Sequence, residues 1–123
     1  MNTKSDFKTY DLDTEEKRIA AVQDIMRSVK ENDPKAKTER IMDAYKVAEL
    51  YHAGQTRQSG EPFIVHPISV ASMLADMQAG IDVIVAGMLH DVVEDTSFTL
   101  EAVQEEFGPN VANLVDGVTK LIQ

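Results

Sequence analysis

Residues Ile81–Asp95 read IDVIVAGMLHDVVED, a run that is apolar on nearly every side at its start. Drawn as a helix, it leaves no polar face for water, and a helix apolar all round is a buried one. Four ionisable residues then arrive within six positions. At about 100° per residue, His90, Glu94, Asp91 and Asp95 fall at roughly 0°, 40°, 100° and 140° around the axis. They form one polar stripe, and Met88, Leu89, Val92 and Val93 cover the opposite face. Ala86 and Gly87, one turn earlier, are small. Their size suggests room for a metal or ligand to approach the helix backbone.

The rest of the chain supplies helices to pack around this one. Its 123 residues make a single domain the prior, with one core of modest size. Residues 1–13 are polar and read as a loose N-terminus. Asp13 and Glu16 have the spacing of a capping pair, ahead of a helix from Thr14 to Glu31. Asp33-Pro34 reads as a restart, with Pro34 opening a helix to His52. Residues 53–65 carry Gly54, Ser59, Gly60 and Pro62 and read as a loop that leads through Phe63-Ile64-Val65 into His66. A third helix spans Pro67 to Gln78, and Asp82 is the expected cap of the fourth. Thr99 is the expected cap of a short fifth helix to Phe107, and Gly108-Pro109 precedes a last one. The fold class is all-α, with about six helices and no internal repeat. The last helix ends at Gln123 without a cap or polar tail, so the expectation is a domain incomplete at its C-terminal side.

Composition narrows the chemistry. With no cysteine, neither a disulfide nor a thiolate metal site can form, which points to the cytoplasm. A metal would be held by His, Asp or Glu, which suits Mn, Mg, Fe or Zn. Twelve basic against twenty-one acidic residues give a net charge of −9. That argues against nucleic acid as a partner. A polyphosphate substrate would need a local cation, either a metal or a positioned arginine. No apolar run approaches the roughly 20 residues of a membrane span, and the N-terminal residues lack a signal peptide's apolar core.

Three carboxylates and an imidazole on one side of a buried helix repel one another, and burying unpaired charge is costly. A divalent cation is the simplest compensation. His90 and Asp91 can both reach one ion lying between their directions, and Glu94, one turn beyond His90, stands where an acid–base carboxylate is useful. Two other readings stay open from the residues alone. The stripe is either a solvated helix end, against the macrodipole, or a buried salt-bridge network, for which this helix supplies no basic partner.

Three motifs in order then carry a resemblance. They are Gly54-Gln55-Thr56-Arg57-Gln58-Ser59-Gly60-Glu61-Pro62-Phe63-Ile64-Val65-His66-Pro67, Leu89-His90-Asp91-Val92-Val93-Glu94-Asp95-Thr96, and Phe107-Gly108 with Val115-Asp116-Gly117-Val118-Thr119-Lys120-Leu121. Over about residues 40–123 the chain resembles the N-terminal hydrolase domain of the RelA/SpoT homologues, the alarmone synthetase/hydrolases of the stringent response. The resemblance implies an all-α HD domain that hydrolyses the 3′-pyrophosphate of (p)ppGpp to GDP or GTP and pyrophosphate, typically with Mn²⁺. It implies His66, His90 and Asp91 as metal ligands, and Glu94 and Asp95 as the acidic pair that activates water. Arg57 matches a residue that contacts the nucleotide, with Gln58 and Ser59 beside it in the same substrate-binding stretch.

The chain departs from the pattern at three places. Gln58 replaces a second basic residue, Phe63 stands where tyrosine is common, and the family's fourth ligand, an aspartate, belongs to a downstream segment not in this chain. The synthetase and regulatory domains are also outside it. His52 is better read as a structural residue than a ligand, and Thr119 and Lys120 as helix-packing or interdomain residues. Exposed apolar surface is expected, with a homodimer as one consequence. The alternative function is a non-catalytic, nucleotide-binding or regulatory HD module.

Overall fold

The computed structural model describes residues 12–56, 60 and 62–121, with side chains to residue 118. Six helices follow one another: α1 (Glu15–Asn32), α2 (Glu39–His52), α3 (Val65–Asp76), α4 (Ile81–Asp95), α5 (Leu100–Phe107) and α6 (Pro109–Leu121). Among the described residues the only pairing of strand type is an isolated antiparallel bridge between Thr56 and Pro62. The all-α expectation holds.

Helix α4 is the axis of the fold, with α2, α3 and α6 packed directly on it. Helix α1 lies across α2 and α3, and α5 lies against α6. Ile84, Val85, Met88, Leu89 and Val92 of α4 are fully buried, and Val22, Ile25, Ile41, Tyr45, Ile68, Val103, Val111 and Val115 close around them. The start of α4 is less enclosed than its composition suggests, because Val83 reaches solvent.

Several helix ends differ from the sequence expectation. Thr14, not Asp13, caps α1, its hydroxyl accepting from the Lys17 amide at 3.1 Å, while Asp13 pairs with Lys17 from outside. Helix α2 begins at Glu39 rather than Pro34. Asp33 instead closes a turn, with its carboxylate accepting from the Lys35 amide and its carbonyl from the Ala36 amide. Helix α3 starts at Val65, so Pro67 is its third residue, still within the first turn where a missing N–H costs nothing. It ends at Asp76, and Gln78 turns the chain with a left-handed φ of 61°. Gly80, not Asp82, sits at the start of α4.

Asp82 is spent elsewhere. It receives hydrogen bonds from Arg40 of α2 and Asn110 of α6, and Arg40 also donates to the Phe107 carbonyl. One carboxylate thus ties three helices together. Residues 1–11 of the expected loose N-terminus lie outside the described residues. Leu12, at 1% exposure, belongs to the core.

Candidate metal centre

The site is built from two helices. His66 is the second residue of α3, and His90 and Asp91 lie in the second half of α4. At Gly87 the side chains of α3 come close against the α4 backbone. A Cβ there would lie 2.6 Å from Leu74 Cδ1 and 3.2 Å from Val70 Cγ1, both on α3. The room expected for a ligand at Gly87 is therefore filled by α3 itself. Its role is to let α3 approach closely enough for His66 to face α4.

Asp91 sits between the two imidazoles. Its Oδ1 is 3.2 Å from His90 Nε2 and its Oδ2 is 3.3 Å from His66 Nε2. The ring centroids of His66 and His90 are 6.0 Å apart. His90 and Asp91 are largely buried, whereas the His66 side chain is 37% exposed, so the cluster opens towards solvent on its α3 side. His90 Nδ1 lies 2.8 Å from the Gly87 carbonyl. A carbonyl oxygen only accepts, so Nδ1 carries a proton and Nε2 is the ring nitrogen turned to Asp91.

This arrangement fits a divalent cation. Asp91 Oδ2 is buried without a hydrogen bond of its own. A positive ion among the three groups would satisfy that oxygen. The ligand atoms of His66, His90 and Asp91 all lie within 4.8 Å of one another. Ligands about 2.0–2.2 Å from a common ion and near right angles stand roughly 3 Å apart, close to the spacing here. Imidazole plus carboxylate is a donor set for borderline and hard divalent metals. The Gly87 carbonyl that fixes the His90 ring is the kind of outer partner such sites rely on. It escaped the sequence reading, although its position three residues before His90 on a helix was a usable signal.

Glu94 and Asp95 occupy the last turn of α4, exposed to solvent and outside the ligand cluster. Glu94 is one turn from His90 and Asp95 one turn from Asp91. Thr96 stops the helix directly after them: its amide and its hydroxyl both bond the Val92 carbonyl, and its Oγ1 accepts from the Phe98 amide. Arg57, Gln58 and Ser59 lie outside the described residues, as do the side chains of Thr119 and Lys120. His52 is not a member of the ligand cluster. It is buried, with its ring stacked on Phe63.

The sequence model of the HD domain matches residues 44–123, which span the whole of this site. The chain belongs to the HD-domain family. Its relatives include a probable GTP pyrophosphokinase of Mycobacterium leprae, 53% identical over 92 residues. That match covers 75% of this chain and 12% of the relative. The bifunctional (p)ppGpp synthase/hydrolase SpoT of Escherichia coli is 48% identical over 88 residues, 72% of this chain and 12% of the relative. A GTP pyrophosphokinase of Streptomyces coelicolor is 47% identical over 103 residues, 81% of this chain and again 12% of the relative. The HD domain therefore corresponds to a small part of much longer proteins, and the resemblance to RelA/SpoT homologues holds.

Proposed function

We propose that this HD domain is the metal-dependent (p)ppGpp hydrolase part of a bifunctional alarmone synthetase/hydrolase. It would remove the 3′-pyrophosphate to leave GDP or GTP. The observation that supports the reading most is Asp91, held between two imidazole Nε2 atoms with one oxygen unsatisfied. His66, His90 and Asp91 would hold the ion, with Mn²⁺ the metal of choice. When bound, such an ion lowers the pKa of water and neutralises charge on pyrophosphate oxygens.

The protein's own groups do the remaining work. Glu94 and Asp95 are exposed in the last turn of α4, one turn beyond His90 and Asp91, and as carboxylates they would orient a water and take its proton. Arg57, with Gln58 and Ser59, would hold the nucleotide. Its planar guanidinium suits phosphate or base stacking, and it gives an acidic domain a cation for an anionic substrate. Among the described residues no helix is long and apolar enough to cross a membrane, and the working compartment proposed is the cytoplasm. Proposed partners are the synthetase and regulatory parts of the longer protein, and a second copy of this chain through the exposed apolar side chains of α2 and α3.

The deciding experiment uses a chain extended to the length of its relatives. With Mn²⁺ and ppGpp it should release pyrophosphate, and Glu94→Gln should abolish release while leaving metal binding intact. Nucleotide binding without pyrophosphate release in the unaltered protein would reject the hydrolase and favour a regulatory module.

A further inference from the structure

We propose that His52 is a positioning residue for His66, acting through Phe63. The proposal rests on the metal-site reading for its purpose, but on separate contacts for its geometry. His52, the last residue of α2, is only 2% exposed. Its ring lies flat on Phe63, with centroids 4.6 Å apart and planes inclined by 11°. Its Nδ1 stands 3.5 Å from Gln55 Oε1. Gln55 and Phe63 are themselves joined, the Phe63 amide donating to the Gln55 carbonyl at 3.1 Å beside the Thr56–Pro62 bridge. One imidazole therefore touches both sides of the point where the chain leaves α2 and returns to α3.

What it holds leads directly to the ligand. The His66 amide donates to the Phe63 carbonyl at 3.2 Å, and the Val65 amide to the Pro62 carbonyl at 3.2 Å. These bonds form the first turn of α3, whose N-terminus has no side-chain cap. His90 and Asp91 are fixed in the middle of the molecule by α4, so they need no such brace. His66 sits at a helix end, and the His52–Phe63 stack ties that end to α2. The ring's face on Phe63 and its Nδ1 edge on Gln55 are the parts that make these contacts. Its Nε2 is buried without a hydrogen-bond partner among the described residues.

The test uses His52→Ala, His52→Phe and Phe63→Leu in this chain, with folding checked by circular dichroism. In metal-free protein, hydrogen exchange at the Val65, His66 and Ile68 amides should quicken about tenfold in His52→Ala, with His90 and Asp91 unchanged. His52→Phe, which keeps a stacking ring, should restore slow exchange. Mn²⁺ affinity by calorimetry should fall about tenfold in His52→Ala and recover in His52→Phe. Phe63→Leu should copy His52→Ala, and it serves where His52→Ala does not fold. Unaltered exchange at those amides in a folded variant overturns the proposal, as does a His52→Phe protein no better than His52→Ala. Absence of Mn²⁺ binding in the parent chain refutes the metal site, while the exchange rates still decide whether His52 holds His66.

Discussion

At the scale of single residues, Asp91 is the most informative position. It is held where it faces two imidazole nitrogens, and its Oδ2 goes unsatisfied. Replacing it with asparagine should therefore act in opposite directions. Without metal, the amide N–H₂ of Asp91→Asn can donate to an imidazole, and stability should rise by about 1 kcal/mol. With Mn²⁺ the same change removes a charged ligand, and affinity should drop at least about 100-fold. Thermal melts in chelator and in Mn²⁺ check both signs. A variant less stable than the parent in chelator would mean that the aspartate already has a partner. The Asp91 environment was only partly legible in the sequence. The helical stripe placed His90 and Asp91 side by side and the motif resemblance named His66, but the 3.3 Å approach of His66 to Asp91 depends on α3–α4 packing, which residue spacing does not encode.

At the scale of elements, helix existence was legible and helix ends were less so. Apolar periodicity located six helices because each buries a stripe on α4 or its neighbours. Thr99 was readable as a cap, and its hydroxyl does accept from the Ala102 amide. Asp13, Asp33 and Asp82 were misread for a common reason. An aspartate before a helix competes among capping, turn formation and ion pairing. Here Asp33 makes a turn, Asp82 an interhelical tie, and Asp13 an exposed pair. The end of α3 was also missed, because Gln78 adopts a conformation that favours glycine. Gln78→Gly relieves that cost and should stabilise the fold by about 1 kcal/mol, measured by urea unfolding. Equal or lower stability would show that the Gln78 side chain makes a compensating contact.

At the scale of the whole molecule, Asp82 joins α2, α4 and α6 and makes stability depend on pH. The Asn110 hydrogen bond, and then Arg40 through its hydrogen bond and charge, hold its carboxyl below the ordinary value of 3.8, against the opposing effect of partial burial. A lowered folded pKa contributes stability that is fully present above the unfolded value. That contribution is lost as pH falls through the folded value. Asp82→Asn should thus be less stable than the parent at pH 7, and the difference should shrink as acid takes the parent below pH 3.8. Parallel pH profiles would remove Asp82 from the account of acid stability. Leu50 and Met77 are 71% and 70% exposed, and Met73 lies one turn from Met77 on α3. Association of two copies through these side chains should appear in light scattering as a dimer that Leu50→Lys with Met77→Lys dissociates. A parent chain that is monomeric at high concentration would exclude it.

The three candidate ligands come from two separate helices, and this would have a thermodynamic consequence. An ion shared by α3 and α4 is bound only when both are in place, so by mass action it favours the folded chain over the unfolded one. At a free concentration 100 times its dissociation constant, it adds about 2.7 kcal/mol. The melting temperature of this domain then becomes a gauge of the metal around it. Titrated against buffered Mn²⁺, Mg²⁺ and Zn²⁺, it ranks their affinities without any substrate, and His66→Ala should flatten the response to all three.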